Sequence, residues 1–200
     1  SPAPRGPNDD FVVATWNLEW FYDEYRGDNF NDLPKEQSAP SRADWEWKRD
    51  GVAAGVAAMR PDVIALQEVE GQRVLYYLTQ SLRRNHQLDF AIGFAEGTDY
   101  FTEQDVGFLI RAGVDMTRLS RYRQSRAMWD SGRFHNVSKH AEVVVEVPVG
   151  EGVEVVTIMT VHFRARPERA DVRTRQARLV HAWLADRIAA GENVIVLGDT

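Results

Sequence analysis

The chain contains no cysteine. That excludes a disulfide framework, a thiolate metal site and a cysteine nucleophile. No apolar run approaches the ~20 residues that span a bilayer as a helix. Lysine is scarce: of 24 basic residues only Lys35, Lys48 and Lys139 are lysine, and 21 are arginine. Arginine's planar fork of donors suits phosphate, although a GC-rich coding sequence produces the same bias. Repeats, low-complexity segments and a charged-then-apolar signal segment are also missing.

What is present fits one medium domain. The 200 residues are 44% hydrophobic and 10% aromatic, enough for a sizeable core, and 27% charged, near the globular average. A net charge of −6 argues, as an average, against a nucleic-acid partner. The charge is uneven, however. Residues 1–50 hold eleven acidic and six basic side chains, residues 111–139 two acidic and seven basic, and residues 164–178 two acidic and six basic.

Residues 1–10, with three prolines and a glycine in the first eight, read as a flexible leader. FVVATWNL (Phe11–Leu18) reads as a buried strand. The polar, proline-containing stretch 22–44 reads as a long loop. Asp44 is the expected cap of a helix reaching Met59, which Pro61 stops. DVIAL (Asp62–Leu66) is a second buried strand, leading into Gln67-Glu68-Val69-Glu70, and residues 72–85 form a second helix. Phe90–Phe94, Val106–Ile110, Ala141–Val147 and Val153–Val161 read as strands, the last two joined as a hairpin. A long helix follows from Asp171 to Ala190, with Val172, Gln176, Leu179 and Trp183 on one face and Gly191 as its stop. NVIVL (Asn193–Leu197) is a last strand. The expected class is α/β with a mixed sheet.

Three polar residues share one kind of position. Asn17 lies near the end of the first strand, and Glu68 and Asp199 each lie two residues past the end of a buried strand. Taken singly, each also reads as a turn former, cap or solvated loop residue. Together, at strand carboxyl ends in a chain without cysteine, they describe a hard oxygen site of the kind magnesium takes. His162 ends the strand TIMTVHF beside Arg164 and Arg166, where an imidazole can meet a phosphate oxygen. Trp20, Phe21, Tyr22, Tyr25, Trp45 and Trp47 flank the first motif, as stacking surfaces for bases or as core.

These segments resemble the endonuclease/exonuclease/phosphatase family. TWNLEW resembles its first-strand motif with the Asn. PDVIALQEVE resembles its metal-Glu motif. TVHFRAR followed by RTRQARLVHAWL resembles its strand-end His and Arg-Gln-Ala helix, and VIVLGDT its Gly-Asp-x-Asn motif. The resemblance implies a four-layer α/β sandwich of the deoxyribonuclease I-like type, with mixed sheets flanked by helices. It implies Mg²⁺, with Mn²⁺ and Ca²⁺ as alternatives, bound by Glu68 and Asn17. Catalytic roles fall to His162, Asp199 and Asn17, and phosphate binding to Lys139 and Arg164, Lys139 being the looser match. The implied activity is metal-dependent phosphodiester hydrolysis, with DNA as first substrate. The alternatives are a phosphatase or phosphodiesterase acting on a lipid or small phosphorylated substrate, and an inactive binding module.

The sequence departs from the family at its end. It stops one residue before the Asn expected after Gly-Asp-Thr, and no later Asp or His motif follows. His86 and His181 lie in helical patterns, and His135 and His140 in an expected basic loop, without a match. The resemblance thus implies that residues 11–200 are the larger, N-terminal part of one domain, completed by a companion C-terminal fragment.

Overall fold

Alternating apolar strands and amphipathic helices build two mixed sheets, each covered on its outer face by helix. The structure, a computed structural model, describes residues 4–200. The strands are β1 (Val13–Phe21), β2 (Val63–Val69), β3 (Phe90–Phe94), β4 (Asp105–Arg111), β5 (Asp115–Ser120), β6 (Lys139–Val149), β7 (Gly152–His162) and β8 (Asn193–Asp199). The helices are α1 (Asp32–Gln37), α2 (Arg42–Met59), α3 (Gln72–His86), α4 (Arg126–Asp130) and α5 (Ala170–Ala189). The first sheet has the order β1-β2-β4-β3 and the second β5-β6-β7-β8.

Burial follows from the alternation of side chains along each strand. Val63 and Ala65 of β2, with Val106, Phe108 and Ile110 of β4, face Ala141, Val143 and Val145 of β6 and Ile158 of β7 across the sheet-sheet core. The opposite face of the first sheet, including Ile64 and Leu66, packs on Trp45, Val52 and Val56 of α2 and on Leu75, Leu78 and Leu82 of α3. Met159 and Val161 of β7 pack on Val180 and Leu184 of α5. The layers are therefore helix, sheet, sheet, helix, the expected four-layer α/β sandwich.

Several local expectations are corrected. The loop expected over 22–44 contains α1 and a 3-10 turn at Arg26–Asp28. Ser41, not Asp44, caps α2: its Oγ accepts from the Asp44 amide and donates to Asp44 Oδ2 at 2.6 Å. Arg60 then ends α2 in the left-handed region before Pro61. The segment 111–139 holds β5 and α4. His140 is not in a loop but buried in β6, with Nε2 accepting from the Tyr122 amide. Of the six flanking aromatics, Phe21, Tyr22 and Trp45 are buried core, while Tyr25 and Trp47 are exposed.

Of the leader, residues 1–3 lie outside the described residues. In residues 4–10, Arg5 is buried; it pairs with Asp62 at 3.5 Å and donates to the carbonyls of Pro148 and Asp9. Asp62 also receives the Val12 amide at 2.8 Å, so this ion pair fastens the segment beneath the starts of β1 and β2.

Candidate active site

β1 runs parallel to β2, and β7 parallel to β8. Parallel pairing sends the carboxyl ends of neighbouring strands in one direction, where α/β sheets present ligand sites. Asn17, Glu68, His162 and Asp199 lie at or near these ends and converge between the two sheets. Asn17 Nδ2 donates to Glu68 Oε1 at 2.9 Å and to Asp199 Oδ2 at 2.8 Å. His162 Nε2 lies 3.7 Å from each of those same oxygens.

The sequence pattern puts Glu68 and Asp199 two residues beyond their strands; Glu68 instead lies inside β2 and Asp199 is the last residue of β8. The difference at Glu68 is a bulge. The residue has φ 60°, and the pairing of β2 with β4 shifts register between Gln67 and Val69. A bulge re-aims one side chain without ending the strand. The opposing bulge in β1 places Glu19 and Trp20 at φ 49° and 57°. It turns the Trp20 amide onto Glu68 Oε2 at 3.1 Å.

At the other strand end, Gly198 has φ 134° and pairs with Val161. A Cβ there would lie 1.9 Å from the Val161 carbonyl oxygen, so only glycine allows this approach. The close contact sets Asp199 in register with His162.

Below the site, Gln67 ties the sheets together. Its Nε2 donates to Thr15 Oγ1 and to Thr160 Oγ1, each at 3.0 Å. His162 is buried, and its Nδ1 has no hydrogen-bond partner among the described residues. Burial, followed by the Lys139 ammonium, holds its pKa below the usual histidine range against the pull of Glu68 and Asp199.

Lys139 opens β6 opposite His162. Its ammonium lies 3.0 Å from Asp99 and donates to Gln104 Oε1 at 2.7 Å. Because Lys139 occupies that oxygen, Gln104 presents Nε2 to Glu68 Oε2, also at 2.7 Å. Arg164 is exposed two residues past β7 and lines the same cleft of about 700 Å³ as Glu68, Lys139 and His162. His181 is on α5 and borders a separate concavity, and His86 ends α3.

The residues suit a hard divalent cation. Among the described residues no lysine or arginine pairs with Glu68 or Asp199. Their shared partners are a neutral amide and an imidazole held toward neutrality. Glu68, His162 and Asp199 each offer a ligand atom within 4.8 Å of the others. Two close carboxylates with only neutral partners form an uncompensated oxygen site, which a small divalent ion relieves.

Two supporting residues escaped the sequence. Gln104 is 36 residues from Glu68 and reaches it only because β4 pairs with β2. Lys48 reaches the β1 bulge from α2. Neither lies within a recognisable motif.

The fold is similar to several solved structures. TDP2 from Caenorhabditis elegans aligns with a TM-score of 0.59 at 17% identity, covering 94% of this chain and 47% of that one. The human Nocturnin catalytic domain, solved with a bound sulfate anion, aligns at 0.58 and 16%, covering 94% and 63%. ANGEL2, described as a 2',3'-cyclic phosphatase, aligns at 0.60 and 13%, covering 94% and 53%. The chain thus spans about half to two thirds of the length of these structures, and at such identities the likeness is one of fold. Comparison with curated proteins finds no match. The model of the endonuclease/exonuclease/phosphatase family matches residues 14–200. That match runs through every motif described above, from the β1 asparagine to the β8 aspartate, and the chain belongs to the endonuclease/exonuclease/phosphatase family.

Proposed function

We propose that the protein is a divalent-metal-dependent hydrolase of phosphodiester bonds, with DNA as its substrate. The observation that carries this reading is the shared contact of Asn17 with Glu68 and Asp199, with His162 equidistant from both carboxylates. Glu68 and Asn17 would hold the cation, with Mg²⁺ as first choice and Mn²⁺ or Ca²⁺ as alternatives. A bound divalent ion supplies Lewis-acid polarisation of the phosphate and offsets charge that builds on its oxygens.

The remaining work belongs to the chain's own groups. Asp199, half-exposed at the strand end, orients the attacking water and takes its proton. His162, neutral with its proton on Nε2, donates a hydrogen bond to a phosphate oxygen. Arg164 contributes a charge-assisted contact to the phosphate. Lys139 acts on the same oxygens through its field and on Glu68 through Gln104. As the water oxygen bonds to phosphorus, the ester phosphorus–oxygen bond breaks; the leaving oxygen takes a proton from solvent, and Asp199 returns to solvent the one it accepted.

Supercoiled plasmid incubated with the protein tests the proposal. Nicking in Mg²⁺ that EDTA abolishes is the expected result. Plasmid left intact in Mg²⁺ and Mn²⁺ would remove DNA from the reading. Release of phosphate from small phosphorylated esters under the same conditions would favour the alternative, a reading to which the fold likeness to ANGEL2, a 2',3'-cyclic phosphatase, lends support.

A further inference from the structure

The cleft has a second end that this chemistry does not use. Beyond His162 the chain makes a tight turn whose backbone is pinned from α5. Gln176 Oε1 accepts from the Arg164 amide at 2.9 Å, and Arg173 Nη1 donates to the carbonyls of Arg164 and Arg166 at 3.2 and 2.7 Å. Arg166 is held at φ 82°, and Arg169 closes the turn by donating its amide to the Arg166 carbonyl at 3.0 Å. The guanidinium groups of Arg164, Arg166 and Arg169 are exposed and line the cleft. None of the three pairs with a carboxylate among the described residues, unlike Arg42, Arg73, Arg118 and Arg187. Unpaired like charges on one short, pinned turn repel, and an anion between them relieves the repulsion.

Next to this arc is a buried polar pair with spare capacity. His135 is 8% exposed and Asn136 4% exposed; both line the cleft, and His135 Nδ1 and Asn136 Oδ1 have no hydrogen-bond partner among the described residues. Trp129 packs edge-on against His135, with ring centroids 4.3 Å apart, and remains 48% exposed. Trp129, Asn136 and Ser138 also line an adjoining concavity of about 610 Å³ that includes Thr98, Gln124 and Arg126. The two concavities therefore form one groove that leads from the catalytic carboxylates past the arginine turn and over the indole.

We propose that this end of the groove is a subsite for the nucleotide next to the scissile phosphate in a single polynucleotide strand. Arg166 and Arg169 take its phosphate and Trp129 stacks on its base. The assignment rests on the proposed phosphodiesterase reading for what occupies the catalytic end. A single strand is favoured over a duplex because a base inside a duplex has both faces covered. A half-exposed indole lining a concavity can stack only on a base whose face is free. The polar lining of the second concavity then meets base edges.

Fluorescence anisotropy with a labelled single-stranded oligonucleotide in EDTA separates binding from cleavage. The Arg166→Ala/Arg169→Ala double variant should bind about tenfold more weakly at moderate salt, with a log K against log salt slope shallower by about 0.7, the loss of one neutralised single-strand phosphate. Trp129→Ala should lose about tenfold and Trp129→Phe should recover most of it. A duplex of the same sequence should bind more weakly than the single strand. Arg178→Ala, which removes one positive charge on α5 at a separate concavity, should bind like wild type. Unchanged affinity and slope in the double variant, or an equal loss in Arg178→Ala, would overturn the phosphate subsite. Equal binding of duplex and single strand with no effect of Trp129→Ala would overturn the stacking. Plasmid cleavage by a protein that binds no single strand defeats this inference and leaves the nuclease reading standing. The expected binding pattern without cleavage does the reverse.

Discussion

Lys48 Nζ lies 2.7 Å from the carbonyl oxygen of Trp20 and donates to it, while also donating to the Glu19 carbonyl at 2.8 Å. Those two residues form the left-handed bulge of β1, and the bulge presents the Trp20 amide to Glu68. Non-glycine residues in this region carry local strain that the surroundings must offset. Lys48→Met keeps the aliphatic stem and removes the clamp. The loss of two charge-assisted bonds, one exposed and one part-buried, should cost about 1–2 kcal/mol in urea denaturation. The proposed phosphodiester hydrolysis should slow by roughly tenfold or more as Glu68 loses its fixed orientation. A full rate in a destabilised variant would show that the bulge holds without Lys48.

Gly198 offers a sharper backbone test. Gly198→Ala forces a Cβ toward the Val161 carbonyl, where the ideal position is 1.9 Å away. The strands must part at the end that carries His162 and Asp199. A loss of about 3 kcal/mol or more is expected, in the range reserved for core strain. The midpoint of chemical denaturation reads it, and a loss below about 1 kcal/mol would mean that β8 can slide without cost.

Much of this was legible in the sequence, and the remainder was hidden for physical reasons. Asn17, Glu68, His162 and Asp199 sit at the ends of strongly apolar strands, so strand patterning alone placed them at one edge. The bulge at Glu68 leaves no compositional trace, because a left-handed glutamate is imposed by β1 and β4 and not by its neighbours in sequence. β5 (DMTRLS) was invisible because it is an edge strand with little burial to pattern. The polar 22–44 stretch hid α1, whose only buried residue is Pro34. Gln104, Lys48 and the Trp129–His135 pair act through tertiary contacts between separate elements, and no spacing rule joins them.

The metal reading makes a prediction with two opposed signs. Asp199 and Glu68 share one amide donor without a paired cation. Asp199→Asn removes one negative charge and keeps an acceptor for Asn17. Without metal the variant should be as stable as wild type or slightly more so. Added Mg²⁺ should raise the melting temperature of wild type, by the equivalent of about 2.7 kcal/mol at a hundred times Kd. The variant should lose part of that increment, because Asp199 adds its charge to the site at which Glu68 and Asn17 would hold the ion. A wild-type melting temperature that does not respond to Mg²⁺, Mn²⁺ or Ca²⁺ would show that these carboxylates hold no divalent ion.

Asp105 should give the fold a pH dependence of its own. It is buried at the start of β4, where its Oδ1 accepts the Gly97 amide at 2.7 Å. Burial, then the charge of Glu96, pushes its pKa up to about 7, against the opposing pull of Arg121. The folded value thus lies above the unfolded one. Below about pH 4 the carboxyl is protonated in both states and its full contribution to stability is present. As the pH rises the unfolded chain ionises first, so stability drains away until the folded carboxyl also ionises near pH 7. At about 1.4 kcal/mol per pKa unit, the loss has a ceiling of roughly 4 kcal/mol. Asp105→Asn keeps an acceptor for the Gly97 amide but cannot ionise. Glu70, also raised to about 7 by burial, titrates in both proteins and cancels in the comparison. Urea denaturation of both proteins across this range should therefore show the stability of wild type falling relative to the variant and levelling off above neutrality. Parallel curves would mean that Asp105 is ionised throughout, with Arg121 compensating its charge.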